Sequence, residues 1–97
     1  MHYFVQIWGL VQGVGMRPFI YKMAKKFNLV GFVKNQGASV VINISGEKSN
    51  IDNFINTLTN NPPNNAKVDR IQVNPIESLN YTDFNIKNSS PDDNQQG

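Results

Sequence analysis

Arg17 follows two glycines in the string Val11-Gln12-Gly13-Val14-Gly15-Met16-Arg17-Pro18-Phe19. Positive φ costs glycine little, so this pair lets the backbone bend sharply and present successive N–H groups. Pro18 suits the first turn of a helix, where its fixed φ fits and its missing N–H would have had no partner. A guanidinium then stands beside a helix N-terminus, and donors, dipole and planar fork converge on one tetrahedral anion. An ordinary tight turn with a surface arginine has the same local pattern, so the wider sequence has to decide. Two nucleotide-binding readings fail at once. No Gly-Lys-Ser/Thr follows the loop, and the glycine spacing is not that of a dinucleotide fingerprint.

The chain of 97 residues is sized for one domain with a single two-layer core. All nine basic residues and five of the seven acids fall within residues 1–88, an excess of +4 there. That suits a small anionic ligand and falls short of the basic footprint of a nucleic-acid binder, so no nucleic-acid partner is expected. The absence of cysteine removes disulfides and thiolate chemistry. No apolar run approaches membrane-spanning length and no signal-peptide pattern opens the chain; a cytoplasmic domain without a membrane partner is the expectation.

The elements that must hold the loop read as follows. Residues 2–10 alternate, with Tyr3, Val5 and Ile7 on one face and Phe4, Gln6 and Trp8 on the other, as in a half-buried strand. Ile20, Met23, Ala24 and Phe27 recur at helical spacing, with Lys22, Lys25 and Lys26 opposite. Gly31 reads as the exit from that helix. A second strand begins at Phe32, Gln36-Gly37-Ala38 turns the chain, and residues 39–45 form a third strand with Val40, Ile42 and Ile44 on one face. Ser49 with Asp52 reads as a helix cap ahead of the stripe Ile51, Phe54, Ile55 and Leu58, and Asn60-Asn61-Pro62-Pro63 ends that helix. Residues 66–73 form a fourth strand whose parity slips, which predicts a bulge near Asp69 and Arg70. Residues 82–87 are a fifth segment with Phe84 and Ile86 expected inward. Residues 89–97 read as a flexible tail or the start of a linker, leaving residues 1–88 as the domain. The order predicts an α+β fold: a ferredoxin-like βαββαβ sandwich, an antiparallel sheet with two helices on one face. Such a fold hosts many functions and decides none.

The string from Val11 to Arg17 resembles the signature of the acylphosphatase family. Its continuation Pro18-Phe19-Ile20-Tyr21 resembles the branch at the N-terminus of carbamoyltransferases that mature nickel–iron hydrogenases. The segment Gly31-Phe32-Val33-Lys34-Asn35, and Pro62-Pro63 followed by Ala66-Lys67-Val68-Asp69, extend the likeness. Met16 departs from the branch, which commonly has phenylalanine there; a flexible thioether fills similar volume. Gly15 fits the maturation-factor branch, because several free-standing acylphosphatases carry a bulky aromatic at that place. The resemblance implies that Arg17 and the backbone amides of Val11, Gln12, Gly13, Val14, Gly15 and Met16 cradle a phosphate, and that Asn35 orients the attacking water. It further implies carbamoyl phosphate as substrate, and further domains in a longer parent chain.

The remaining residues agree with a site that works without metal or cofactor. There is no cysteine nucleophile, no Gly-x-Ser-x-Gly, no carboxylate pair at metal-bridging spacing, and a single histidine, His2, at the outer start of the first strand. Such a site is confined to direct water attack with electrostatic help, which suffices for an activated compound such as an acyl phosphate. A carboxamide can hold a water but cannot deprotonate it at neutral pH, so the substrate phosphate has to take the proton. Two other readings stay open. A module could bind carbamoyl phosphate or inorganic phosphate with little turnover in isolation. An RNA-recognition domain shares the element order, yet its third strand would need an aromatic where Val41, Asn43 and Ser45 stand.

Overall fold

The structure, a computed structural model, describes residues 1–77 and 80–88. The tail reading for residues 89–97 lies outside the described residues. The elements are β1 (His2–Leu10), α1 (Met16–Lys26), β2 (Val30–Gln36), β3 (Ser39–Ser45), α2 (Lys48–Asn60), β4 (Lys67–Pro75) and β5 (Phe84–Ile86). They form a five-stranded sheet in the order β4-β1-β3-β2-β5, the ferredoxin-like arrangement that the element order predicts.

Alternation decides which face is buried. Val5 and Ile7 of β1, Val33 of β2, and Val40, Ile42 and Ile44 of β3 share one face, all fully buried. Ile20, Met23 and Ala24 of α1 and Ile51, Phe54 and Leu58 of α2 close over that face in one cluster. Lys22, Lys25 and Lys26 stay exposed on the outer side of α1. On the opposite sheet face Trp8 carries Arg70, whose guanidinium lies 4.7 Å from the ring centre. Phe32 there meets Lys87 at 4.1 Å and the edge of Tyr81 at 5.9 Å.

The bulge falls where the parity slips. Trp8 pairs with Arg70 but Gly9 pairs with Val68, so Asp69 is the extra residue. Four details differ from expectation. β1–β3, β1–β4 and β2–β3 are antiparallel, but β5 runs parallel to β2, so the sheet is mixed. The cause is where the ends lie. β4 finishes beside the start of β1, where Ile76 N–H donates to His2 O at 3.0 Å; β5 begins beside the start of β2, where Gly31 N–H donates to Asp83 O at 2.9 Å. Both edge-strand junctions therefore sit at one end of the sheet, and β5 leaves that end as β2 does.

Ile86 is the second difference: it is exposed, because β5 is a short edge strand and only Phe84 reaches the core. Third, α1 ends before Gly31. Asn28 takes the left-handed conformation at φ 57, with Leu29 N–H donating to Ala24 O at 2.8 Å and Asn28 N–H to Lys25 O at 3.2 Å. That is a Schellman ending with asparagine in the usual glycine place, and Leu29 is buried behind it. Fourth, Ser49 caps nothing. Glu47 occupies the cap position of α2 through its backbone, and Asp52 pairs instead with Lys48 one turn back at 2.9 Å.

Lys25 of α1 pairs with Asp83 just before β5 and so ties the edge strand to the helix. The Lys25 ammonium, together with the Phe84 N–H, holds the Asp83 carboxyl below its ordinary value. A depressed carboxyl adds stability that is present above its unfolded value and is lost as pH falls through the folded one. Acid titration of the unmodified protein should thus show a small loss of stability below about pH 4 that Asp83→Asn lacks. Equal acid sensitivity of the two proteins in thermal melts would refute this.

Candidate anion-binding site

The loop between β1 and α1 is held from below by apolar side chains. Val11 and Met16 are buried at 1% and 2% exposure, and Val14 packs against the same core. With these side chains turned inward, the backbone is what faces outward. Gly13 and Gly15 have φ of 73° and 79°, and a Cβ on either would meet nothing within 4 Å. The bend itself, and not crowding, calls for glycine at both places. Gly15 is the residue before the first turn of α1, which has no acidic residue to occupy the positive end of the helix. Phe19 N–H closes the first turn on Gly15 O at 3.2 Å. Among the described residues, no N–H from Gln12 to Met16 donates to another protein group.

Arg17 is half-buried, forms no ion pair among the described residues, and is steadied by one contact: its Nη1 donates to Lys87 O at 3.4 Å. Asn35 lies at the far end of β2, opposite Val40 in the ladder and on the same face as Val33. β1 and β2 run parallel with β3 between them, so the loop after β1 and the end of β2 lie at one end of the sheet.

There a concavity of about 210 Å³ is lined by Val11, Gln12, Gly13, Gly15, Met16, Arg17, Pro18 and Asn35. The structure thus brings the expected arginine and asparagine to one hollow, with every expected loop residue except Val14. A larger hollow of about 400 Å³ between α2 and β4 has Asp52 as its one charged lining residue, which would repel an anion. His2 bonds to Ser45 at the other end of β1, far along the strand from the loop.

Three contributions escape a reading of the string. Pro18 lines the hollow as well as lying in the first turn of the helix. The carbonyl of Lys87 holds Arg17 across 70 residues. The Gln12 side chain donates to Gly37 O and Ser39 O, each at 2.8 Å. The last two are contacts between distant parts of the chain, and no local pattern announces them.

A small α+β scaffold with a guanidinium and open amide donors at a strand-to-helix bend defines a class of domains with a hollow suited to a tetrahedral anion. The chain belongs to the acylphosphatase family, whose signature matches residues 3–86. It is 42% identical over 95 residues to the probable carbamoyltransferase HypF of Methanocaldococcus jannaschii, covering 96% of this chain and 12% of that protein. A crystal structure of full-length HypF in a phosphate- and nucleotide-bound form superposes with a TM-score of 0.89 at 41% identity, over 91% of this chain and 12% of that one. The acylphosphatase from Bacillus subtilis superposes with a TM-score of 0.84 at 33% identity, over 89% of this chain and 97% of that one. The chain therefore spans about an eighth of the HypF proteins it matches and nearly all of the free-standing acylphosphatase. Among the described residues no helix is long and apolar enough to cross a membrane.

Proposed function

We propose that residues 1–88 hydrolyse an acyl phosphate, with carbamoyl phosphate as the natural substrate, as the N-terminal domain of a hydrogenase-maturation carbamoyltransferase. The observation that carries this reading is the meeting of Arg17, open backbone donors and Asn35 around one small hollow. The phosphoryl group sits over the loop. The amides of residues 11–16 and the Arg17 fork bond its oxygens, and they do so more strongly as charge builds on them in the transition state. Asn35 holds a water in line with the bond to the leaving group, through its carboxamide oxygen and nitrogen. Water oxygen bonds to phosphorus, the P–O bond to the acyl group breaks, and carbamate leaves with the electron pair. The phosphate takes the proton of the water. Everything the scheme asks of the protein is positioning and fixed charge, which an activated leaving group makes sufficient. Likeness to proteins named carbamoyltransferases supports a carbamoyl group as the acyl part of the substrate.

The test is phosphate release from carbamoyl phosphate and benzoyl phosphate side by side, with chelator present. Turnover of both, faster on carbamoyl phosphate and insensitive to chelator, is the expected result. Phosphate binding without turnover would establish instead a module that needs other domains to act. Turnover that chelator abolishes would reject the scheme.

A further inference from the structure

We propose that the side chain of Gln12 is a positioning residue that sets the separation between the anion-binding loop and Asn35. This inference rests on the function proposed above and goes beyond it. It concerns the side-chain carboxamide of Gln12, whereas the phosphate is cradled by its backbone N–H.

β1 and β2 are not neighbours in the sheet; β3 lies between them. No ladder of hydrogen bonds therefore fixes the loop that follows β1 against the strand end that carries Asn35. Gln12 supplies the missing link. Its Nε2 has two hydrogens and two acceptors, Gly37 O and Ser39 O, each at 2.8 Å. Those carbonyls flank Ala38 in the turn that begins just after Asn35. The turn is braced from its other side as well. Ser39, 3% exposed, donates from Oγ to Gln36 O and accepts from Gln6 Nε2, both at 2.8 Å. Gln12 is the member of this network that belongs to the loop.

A primary amide suits the task because both carbonyls need a donor. Glutamate has the same shape and no donor, and it would face two carbonyl oxygens with a negative charge. Alanine leaves the turn free to drift from the loop. Binding and chemistry respond differently to such drift. The loop amides and Arg17 still hold phosphate, whereas the water on Asn35 moves off the line of attack.

Gln12→Ala and Gln12→Glu should lower kcat by roughly 10–100-fold, the scale of a misplacement of about an ångström. For Gln12→Ala, KM and inhibition by inorganic phosphate should stay within about twofold. A double variant, Gln12→Ala with Asn35→Ala, should be no slower than Asn35→Ala alone, since the amide acts through that residue. Amide hydrogen exchange at residues 35–38 should quicken in Gln12→Ala, which can be read whether or not the protein turns over any substrate. Unaltered exchange there overturns the inference independently of the proposed function, as do an unchanged kcat or additive effects in the double variant. Parallel losses in kcat and phosphate affinity also overturn it, because they would place Gln12 in the anion site itself.

Discussion

Arg17→Ala is expected to lower phosphate release by at least roughly 10²–10³-fold while the protein stays folded, a loss of about 3–4 kcal/mol of transition-state stabilisation. Arg17 is half-buried and outside the core cluster, and its one hydrogen bond among the described residues is a long contact of 3.4 Å to Lys87 O. Its removal costs the fold little, so thermal melts of the variant should match those of the unmodified protein. The loss falls on catalysis because the donors left on the loop are neutral amides, with only the partial charge of the helix terminus to replace a full cation. Arg17→Lys should recover part of the rate. It returns the charge but not the planar fork, and an ammonium cannot bond two phosphate oxygens in parallel as guanidinium does. Full activity in Arg17→Ala, measured at saturating substrate, would remove the loop from the mechanism altogether.

The second large effect is on stability, at Gly31→Ala. Gly31 sits in β2 at φ 137, and a Cβ there would stand 1.9 Å from Asn43 O and 2.7 Å from its carbonyl carbon. The obstacle is backbone of β3 and cannot rotate aside. Either Gly31 changes conformation or β2 separates from β3 at the centre of the sheet. Strain at such a φ costs about 1–3 kcal/mol and overpacking about the same, so the variant should lose on the order of 3–5 kcal/mol in denaturant unfolding. Gly31 also bonds to Asp83 O and pairs with Phe84, so the docking of β5 should loosen with it. A stability within about 1 kcal/mol of the unmodified protein, the scale of an ordinary surface substitution, would show that the strands part without cost.

Gly31 also shows where a sequence reading goes astray. A glycine after a helical pattern is the ordinary sign of a helix end, and position 31 reads that way from sequence. The left-handed residue that ends α1 is Asn28, and Gly31 serves a contact with a strand twelve residues further on. Two physical demands produce the same residue type, and nothing local separates them. The Ser49 cap fails similarly, since Asp52 is spaced to complete a cap with Ser49 or to pair with Lys48 one turn back, and it makes the pair. Ile86 fails because alternation tells which face a side chain takes, not whether the sheet still has cover at its edge.

What the amino-acid string determined by itself is whatever depends on near neighbours: alternation in β1 and β3, the stripes of the two helices, the slipped parity at Asp69, and the bend with its arginine. These follow from torsional preference and periodic burial, both confined to a few successive residues. The tertiary structure alone decided the parallel edge of the sheet, the bond from Arg17 to the Lys87 carbonyl, the hollow that Arg17 shares with Asn35, and the Gln12 bridge. Each joins groups brought together by strand order, and strand order is set by the burial of the whole core, which no short stretch of chain contains.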